Sequence, residues 1–293
     1  MKERPNGLVA PLVGAAGVAA TGESASERLS REAALARTPN LAAVNLSGLA
    51  LFGANLEGAD LRGSNLRGTD MRGCNLRHAH LRGTDLREAD LRGASLEGVD
   101  LRRAVIDDTT RLDARWRLVW DLCARGGAGR DLQGHNLEGL RLQQADLRGA
   151  VLRRASLRSA LLGSAQLHAA DLTCADLSCG DLSLANLQQA DLTEACLQWA
   201  NLNGALLEGA ILRQARLVGA NLSGAALRRA DLRGADLALA NLAGADLRAA
   251  DLREANLRGV YCHGAVISSN HGRPTLFPDS FDLAEHEVVV RDH

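Results

Sequence analysis

The sequence predicts an all-β solenoid, a chain that corners every five residues and closes a square coil at every fourth corner. Two observations predict it. From Leu132 to Leu257 every fifth residue is leucine, without an exception. From Ala145 to Ala255 the residue two before that leucine is alanine everywhere but Gly180. A fixed period takes precedence over any single residue. On an α-helix a step of five advances about 140°, so the leucines would scatter round the axis. On a flat strand successive leucines would point to opposite faces. A backbone that corners once per five residues keeps them on one side. Stacked square coils then bury one leucine column, and the position two before it, near a corner, admits only a small side chain.

The unit A-[DN]-L-x-x, as in Ala235-Asp236-Leu237 and Ala245-Asp246-Leu247, resembles the pentapeptide repeat family. The resemblance implies a right-handed, quadrilateral parallel β-helix over roughly 200 of the 293 residues. It speaks to fold, because function sits in sites and not in folds. Some members of that family protect DNA gyrase or topoisomerase from inhibitors, as acidic dimers that mimic duplex DNA. This chain departs from them: no repeat centre is Phe, and residues 131–267 carry fourteen acids against thirteen arginines.

In chain order, residues 1–40 read as a flexible tail and a capping helix. Leu8 to Ala20 is a weak secretory-signal match, with Glu3, Pro11, Gly14 and Gly17 against it. Ser24 and Glu27 form a capping box for a helix to Arg37, which would cover the open edge of the first coil. Residues 41–106 form the first repeat block, fourteen centres from Leu41 to Ile106. Its outward position after each centre runs Arg62, Arg67, Arg72, Arg77, Arg82, Arg87, Arg92, a sleeve round the column. Nine arginines meet eight acids in this block, so the expected surface is ion-paired.

Residues 107–130 interrupt the pattern. Leu112, Trp116, Val119, Trp120 and Cys123 fall at helical spacing, Thr110 and Asp113 cap the start, and Gly126-Gly127 stops it. The step from Ile106 to Leu132 is one more than a multiple of five, so the frame slips here. Trp116, Trp120 and His135 are the expected structural joint, with the helix beside a widened coil. The competing reading is a docking helix with two exposed tryptophans. Residues 131–267 form the second block. Residues 268–293 read as a cap and tail, with Phe277 and Phe281 over the last coil.

No catalytic constellation is present. His78 and His80 are two imidazoles, too few for a metal site. The regular Asp and Asn residues read as turn formers whose side chains bond nearby backbone N–H groups. No cofactor is expected. The formal charge of −1 gives no bulk attraction to nucleic acid or anionic membrane. The six cysteines lack disulfide or metal spacing, which fits a reducing cytoplasm.

The candidate contact surface is the band between Arg158 and Arg213, where His168 is the only basic group among six acids. Trp199, Cys179, Leu184, Asp181, Asp171 and Asp191 are its candidate partner-binding residues. The expected function is a non-enzymatic interaction scaffold for a protein partner, with a homodimer left open. The alternative is gyrase or topoisomerase protection, which only the acidic band keeps open.

Overall fold

The structure is a computed structural model that describes residues 40–269, 274–283 and 287–291. The readings for residues 1–39 lie outside the described residues. The chain divides into two compact units, Met1–Trp120 and Asp121–His293.

In both units the residue before each centre pairs in parallel with the equivalent residue four centres later. Asn45 pairs with Asn65 and Asp181 with Asn201, so four repeats of five make one coil. The amide of Leu182 donates to Asn201 O at 2.7 Å, and the Asn201 amide donates to Gly180 O at 2.9 Å. Between centres the chain makes a turn closed by the centre's own carbonyl, as in Ala205 N to Leu202 O at 3.0 Å. The second residue after the centre has positive φ, the mark of a type II turn. Leu202, Leu222 and Leu242 stack at full or nearly full burial, with Ala200, Ala205 and Ala220 beside them.

The polar residue before the centre holds the turn. Asp60 Oδ1 accepts from the Arg62 amide at 3.1 Å, and the Arg62 guanidinium grips both carboxylate oxygens at 2.8 and 2.6 Å. The same Asp-Leu-Arg clasp, with Met71 for leucine in one case, recurs at 70–72, 85–87, 90–92, 100–102, 146–148, 231–233, 246–248 and 251–253. The arginine sleeve is therefore tied down one turn at a time. Where the slot lacks Asp, the arginine reaches elsewhere, as Arg67 does to Glu88 and Arg77 to Glu97. Asp231 is clasped twice, by Arg233 at 2.8 Å and Arg213 at 2.5 Å, and these hydrogen bonds pull its pKa down to about 2. A carboxylate depressed in the fold stabilises it above the unfolded value near 4 and loses that contribution as pH falls toward 2. Urea midpoints taken from pH 5 to 2.5 should accordingly fall more steeply for the native chain than for Asp231→Asn.

The structure narrows the frame slip to the start of the interruption. Asp90 pairs with Arg111 and not with Thr110, one position beyond the coil repeat, so the extra residue lies in Asp107–Thr110. Asp107 Oδ1 accepts the Thr109 hydroxyl at 2.6 Å and the amides of Thr109 and Thr110 at 3.0 Å, and the hydroxyl bond above all holds its carboxyl far below the usual range. Thr110 then takes the small inward slot, 2% exposed, and Leu112 lies before the helix rather than in it. Helix α1 spans Ala114–Arg125. It opens on the Asp113 carbonyl, which accepts from Arg117 N at 3.0 Å, and ends at Gly126, whose φ of 78° only glycine adopts freely.

Within the first unit, Trp116 is 6% exposed and Trp120 Nε1 donates to Ala104 O at 2.6 Å. In the second, the repeat begins at Gly127 rather than Asp131. The Gly127 amide donates to Asp146 O at 2.6 Å, the bond a centre makes. Leu122 and Leu147 methyls come within 2.8 and 2.7 Å of where a Gly127 side chain would start, so they fill the vacant slot. Asp131–Val151 and Asn136–Ser156 keep the ordinary four-centre register through this coil. His135 is exposed, its Nδ1 3.2 Å from Gln133 O, while Leu140 is buried at 2%.

At the far end Leu276 pairs with Asp251 and Thr275 Oγ1 donates to Leu247 O at 2.9 Å. The Phe277 and Phe281 rings stack at 5.1 Å and line an apolar recess with Leu252, Leu257 and Cys262. Burial pushes the Cys262 thiol pKa up. Strand β1, Val266–Ile267, pairs in parallel with β2, Val289–Val290.

Candidate interaction face of the second unit

Because the register is one full coil, each outward position continues as a column with a step of about 4.8 Å. The turn column through Trp199 reads Ser159, Cys179, Trp199, Gly219, Leu239, Gly259. Trp199 is 63% exposed and Leu239 62%. Neither stands away from the wall. Trp199 ring carbons come within 2.3 Å of where a Gly219 side chain would begin, and a Leu239 methyl within 3.0 Å of the same point on Gly259. Leu184 leans over Gly204 at 2.8 Å and His78 over Gly98 at 2.5 Å. A bulky turn residue is thus seated on glycine one coil later, which leaves its outer surface open. Alanine at Gly219 should displace the indole and shift tryptophan fluorescence, at about 0.5–1.5 kcal/mol beyond the same change at Gly224. Gly224 has a near-equal φ, 65°, and nothing within 4 Å.

Beyond the Trp199 corner lies a face whose leading column reads Leu161, Asp181, Asn201, Asn221, Asn241, Tyr261. Its amides form a ladder. Asn201 donates to Asp181 at 3.0 Å, Asn221 to Asn201 at 3.3 Å, and Asn241 to Asn221 at 3.3 Å. Each asparagine oxygen also accepts its own turn amide, from Asn203, Ser223 and Ala243. The trailing column is Gly163, Ser183, Asn203, Ser223, Ala243, His263, and Asn203 donates to Ser223 Oγ at 2.7 Å. Asp181 is the only acid on this face from Leu161 to Tyr261, and no arginine is present. The three other faces of the unit all carry arginine over the same coils.

The remaining candidates separate. Asp171 and Asp191 lie on another face, paired as neighbours one coil apart. Burial raises the Asp171 pKa, but hydrogen bonds from Thr173 and Arg153 outweigh it and the net shift is down. Asp191 accepts the Thr193 amide and hydroxyl at 2.9 and 2.6 Å. Cys179 is exposed in the Trp199 column, and Leu184, 62% exposed, marks the far corner of the asparagine face. So the structure gathers Trp199, Cys179, Leu184 and Asp181 round one face and sets Asp171 and Asp191 apart. Sequence reasoning missed the asparagine ladder, Leu239 and Tyr261, which is 57% exposed. The signal was present at the period of the coil rather than of the repeat.

A family model for pentapeptide repeats matches eight copies, over residues 40–108 and 131–268. Among solved structures, HetL, a pentapeptide repeat protein involved in heterocyst differentiation regulation from the cyanobacterium Nostoc sp. strain PCC 7120, is 35% identical. The match covers 83% of this chain and 96% of that one, with a TM-score of 0.33. A pentapeptide repeat protein of the Arabidopsis thaliana thylakoid lumen is 38% identical over 32% of this chain and 66% of its own, with a TM-score of 0.23. QnrB1, a plasmid-mediated fluoroquinolone resistance protein, is 16% identical over 84% and 93%, with a TM-score of 0.30. No curated protein matches the chain. Proteins with this repeat are generally non-catalytic structural or interaction proteins. The chain belongs to the pentapeptide repeat family, whose fold is the right-handed quadrilateral β-helix.

Proposed function

We propose that this protein is a non-enzymatic scaffold of the cytoplasm that presents a face of its second unit to a protein partner. The observation that carries the reading is one arginine-free face edged by exposed Trp199, Leu184, Leu239 and Tyr261. Exposed aromatics on a rigid support are the usual anchors of binding, since little side-chain freedom is lost on contact. The backbone ladder supplies that support. The DNA-mimic alternative calls for outward, unengaged carboxylates. In the acidic band Asp171 is paired with Arg153, and Asp176, Asp181 and Asp191 each accept amides of their own turns. The geometry therefore favours the scaffold.

The test is affinity capture from a bacterial lysate with native protein and with Trp199→Ala combined with Asp181→Arg. Loss of one reproducible partner other than a topoisomerase supports the scaffold. Recovery of gyrase with altered supercoiling activity overturns it in favour of mimicry. Unchanged capture removes this face from the function.

A further inference from the structure

Resting on the scaffold reading, we infer that the asparagine face receives one α-helix of the protein partner, amphipathic and acidic on its flanks, laid along the column from the coil of Trp199 to that of Tyr261. Spacing selects a helix. The Trp199 indole rests at the level of Gly219 and a Leu239 methyl at the level of Gly259, two coils on. At about 4.8 Å per coil these apolar contacts lie ~9.6 Å apart along the column. Seven helical residues advance about 10.5 Å, so residues i and i+7 of a helix inclined by roughly 25° meet both. An extended strand sets same-face side chains about 6.7 or 13 Å apart and meets only one. The opposite corner of the face leaves room for the helix. Gly224, Gly244 and Gly264 stand there with nothing within 4 Å of where a side chain would start.

Hydrogen bonding and charge then select the flanks. Asn201, Asn221 and Asn241 each commit one amide hydrogen to the ladder, and the other has no partner among the described residues. The oxygens of Asn201 and Asn221 are already full, each with its turn amide and the next asparagine. The face therefore offers donors about 4.8 Å apart and asks for acceptors. Carboxylates placed once per helical turn, about 5.4 Å, keep pace with that ladder. The border adds positive charge. Arg216 and Arg258, both exposed on the adjoining face, make no ion pair among the described residues. Arg258 directly precedes Gly259, where Leu239 is seated. The acid between the two arginines, Asp236, is engaged by the Ala238 amide at 3.2 Å and by Asn256 at 2.8 Å. Two other acids border the face, one at each end. Asp181 lies one coil before Asn201, and Glu287, stacked beyond Tyr261, is paired with His263 at 2.7 Å. Neither opposes an acidic flank over the coils between.

The probe is a stapled, alanine-based helix of about fourteen residues, with two leucines seven apart and glutamate on both flanks, beside a twin with lysine for every glutamate. Fluorescence anisotropy of each labelled peptide against the whole chain reads binding directly. The glutamate peptide is expected to bind in the micromolar range of a small contact, and the lysine twin about tenfold more weakly. Trp199→Ala and Leu239→Ala should each weaken the glutamate peptide about tenfold. Asn221→Asp replaces a donor with a charge and should turn the preference toward the lysine twin. Asp181 holds the same repeat position in that column, so the fold accepts the change. Asn186→Asp, the same change on a neighbouring face, should leave both peptides as they were. Circular dichroism confirms that each variant is folded. A glutamate peptide that does not bind at about 1 mM, a lysine twin that binds as tightly, or binding that survives both Trp199→Ala and Asn221→Asp overturns the inference. If the peptide fails while the Trp199→Ala, Asp181→Arg chain still loses its captured protein, the scaffold stands and only the helix is refuted.

Discussion

Replacing Leu202 with alanine is expected to destabilise the second unit by about 2–5 kcal/mol, toward the top of that range. Leu202 is fully buried, with Leu182 and Leu222 one coil away on either side. In a globular core neighbouring helices shift to close part of such a cavity. Here the coils are held by backbone bonds at 2.7–2.9 Å above and below, and the spacing of about 4.8 Å cannot shrink. The hole therefore stays open. Leu202→Met should cost under about 1.5 kcal/mol, because it conserves volume. The fold already contains that experiment, since Met71 fills a centre in the first unit at full burial. Urea unfolding followed by circular dichroism separates the two. Equal losses for alanine and methionine would mean that shape, and not the cavity, limits this column.

How much of this was legible depends on which period carries it. The five-residue period exposes the core, because one slot must be leucine and another small for any coil to close. Turn chemistry was legible too, in Asp60 and its kin. What the shorter period could not show is which residues stand above one another, and function lies there. Asn201, Asn221 and Asn241 look like three ordinary turn formers until they are aligned coil on coil. Gly219 and Gly259 look like any other turn glycine until Trp199 and Leu239 are placed beneath them. The frame slip could not be placed within residues 107–130 for a different reason. Leu112 fits a helical spacing with Trp116 as well as a repeat centre one coil before Leu132, and periodicity cannot choose between them. The bonds made by Asp107 and Thr110 decide it, and those depend on backbone geometry that pattern does not encode. Gly127 shows the same limit: a centre filled by Leu122 and Leu147 leaves no side chain to read.

The three tryptophans should respond to truncation in opposite ways, and Trp116 is the sharper case. Trp116→Ala is expected to cost about 3–5 kcal/mol, the range for a large aromatic removed from a closed site. Its side chain is 6% exposed, and the Arg115 guanidinium lies 4.9 Å from the ring centroid, so both packing and a cation–π contact go with it. Trp120→Ala loses the bond to Ala104 O as well as part of its burial, and should fall between the other two. Trp199→Ala should cost about 1 kcal/mol or less, because most of the ring already faces water and Gly219 needs nothing above it to hold its turn. The order Trp116, Trp120, Trp199 in stability is then the reverse of the order expected for partner capture, where Trp199 alone should matter. A Trp116 variant that unfolds at the native urea midpoint would remove the helix as a structural joint. It would return to α1 the docking role proposed for the asparagine face.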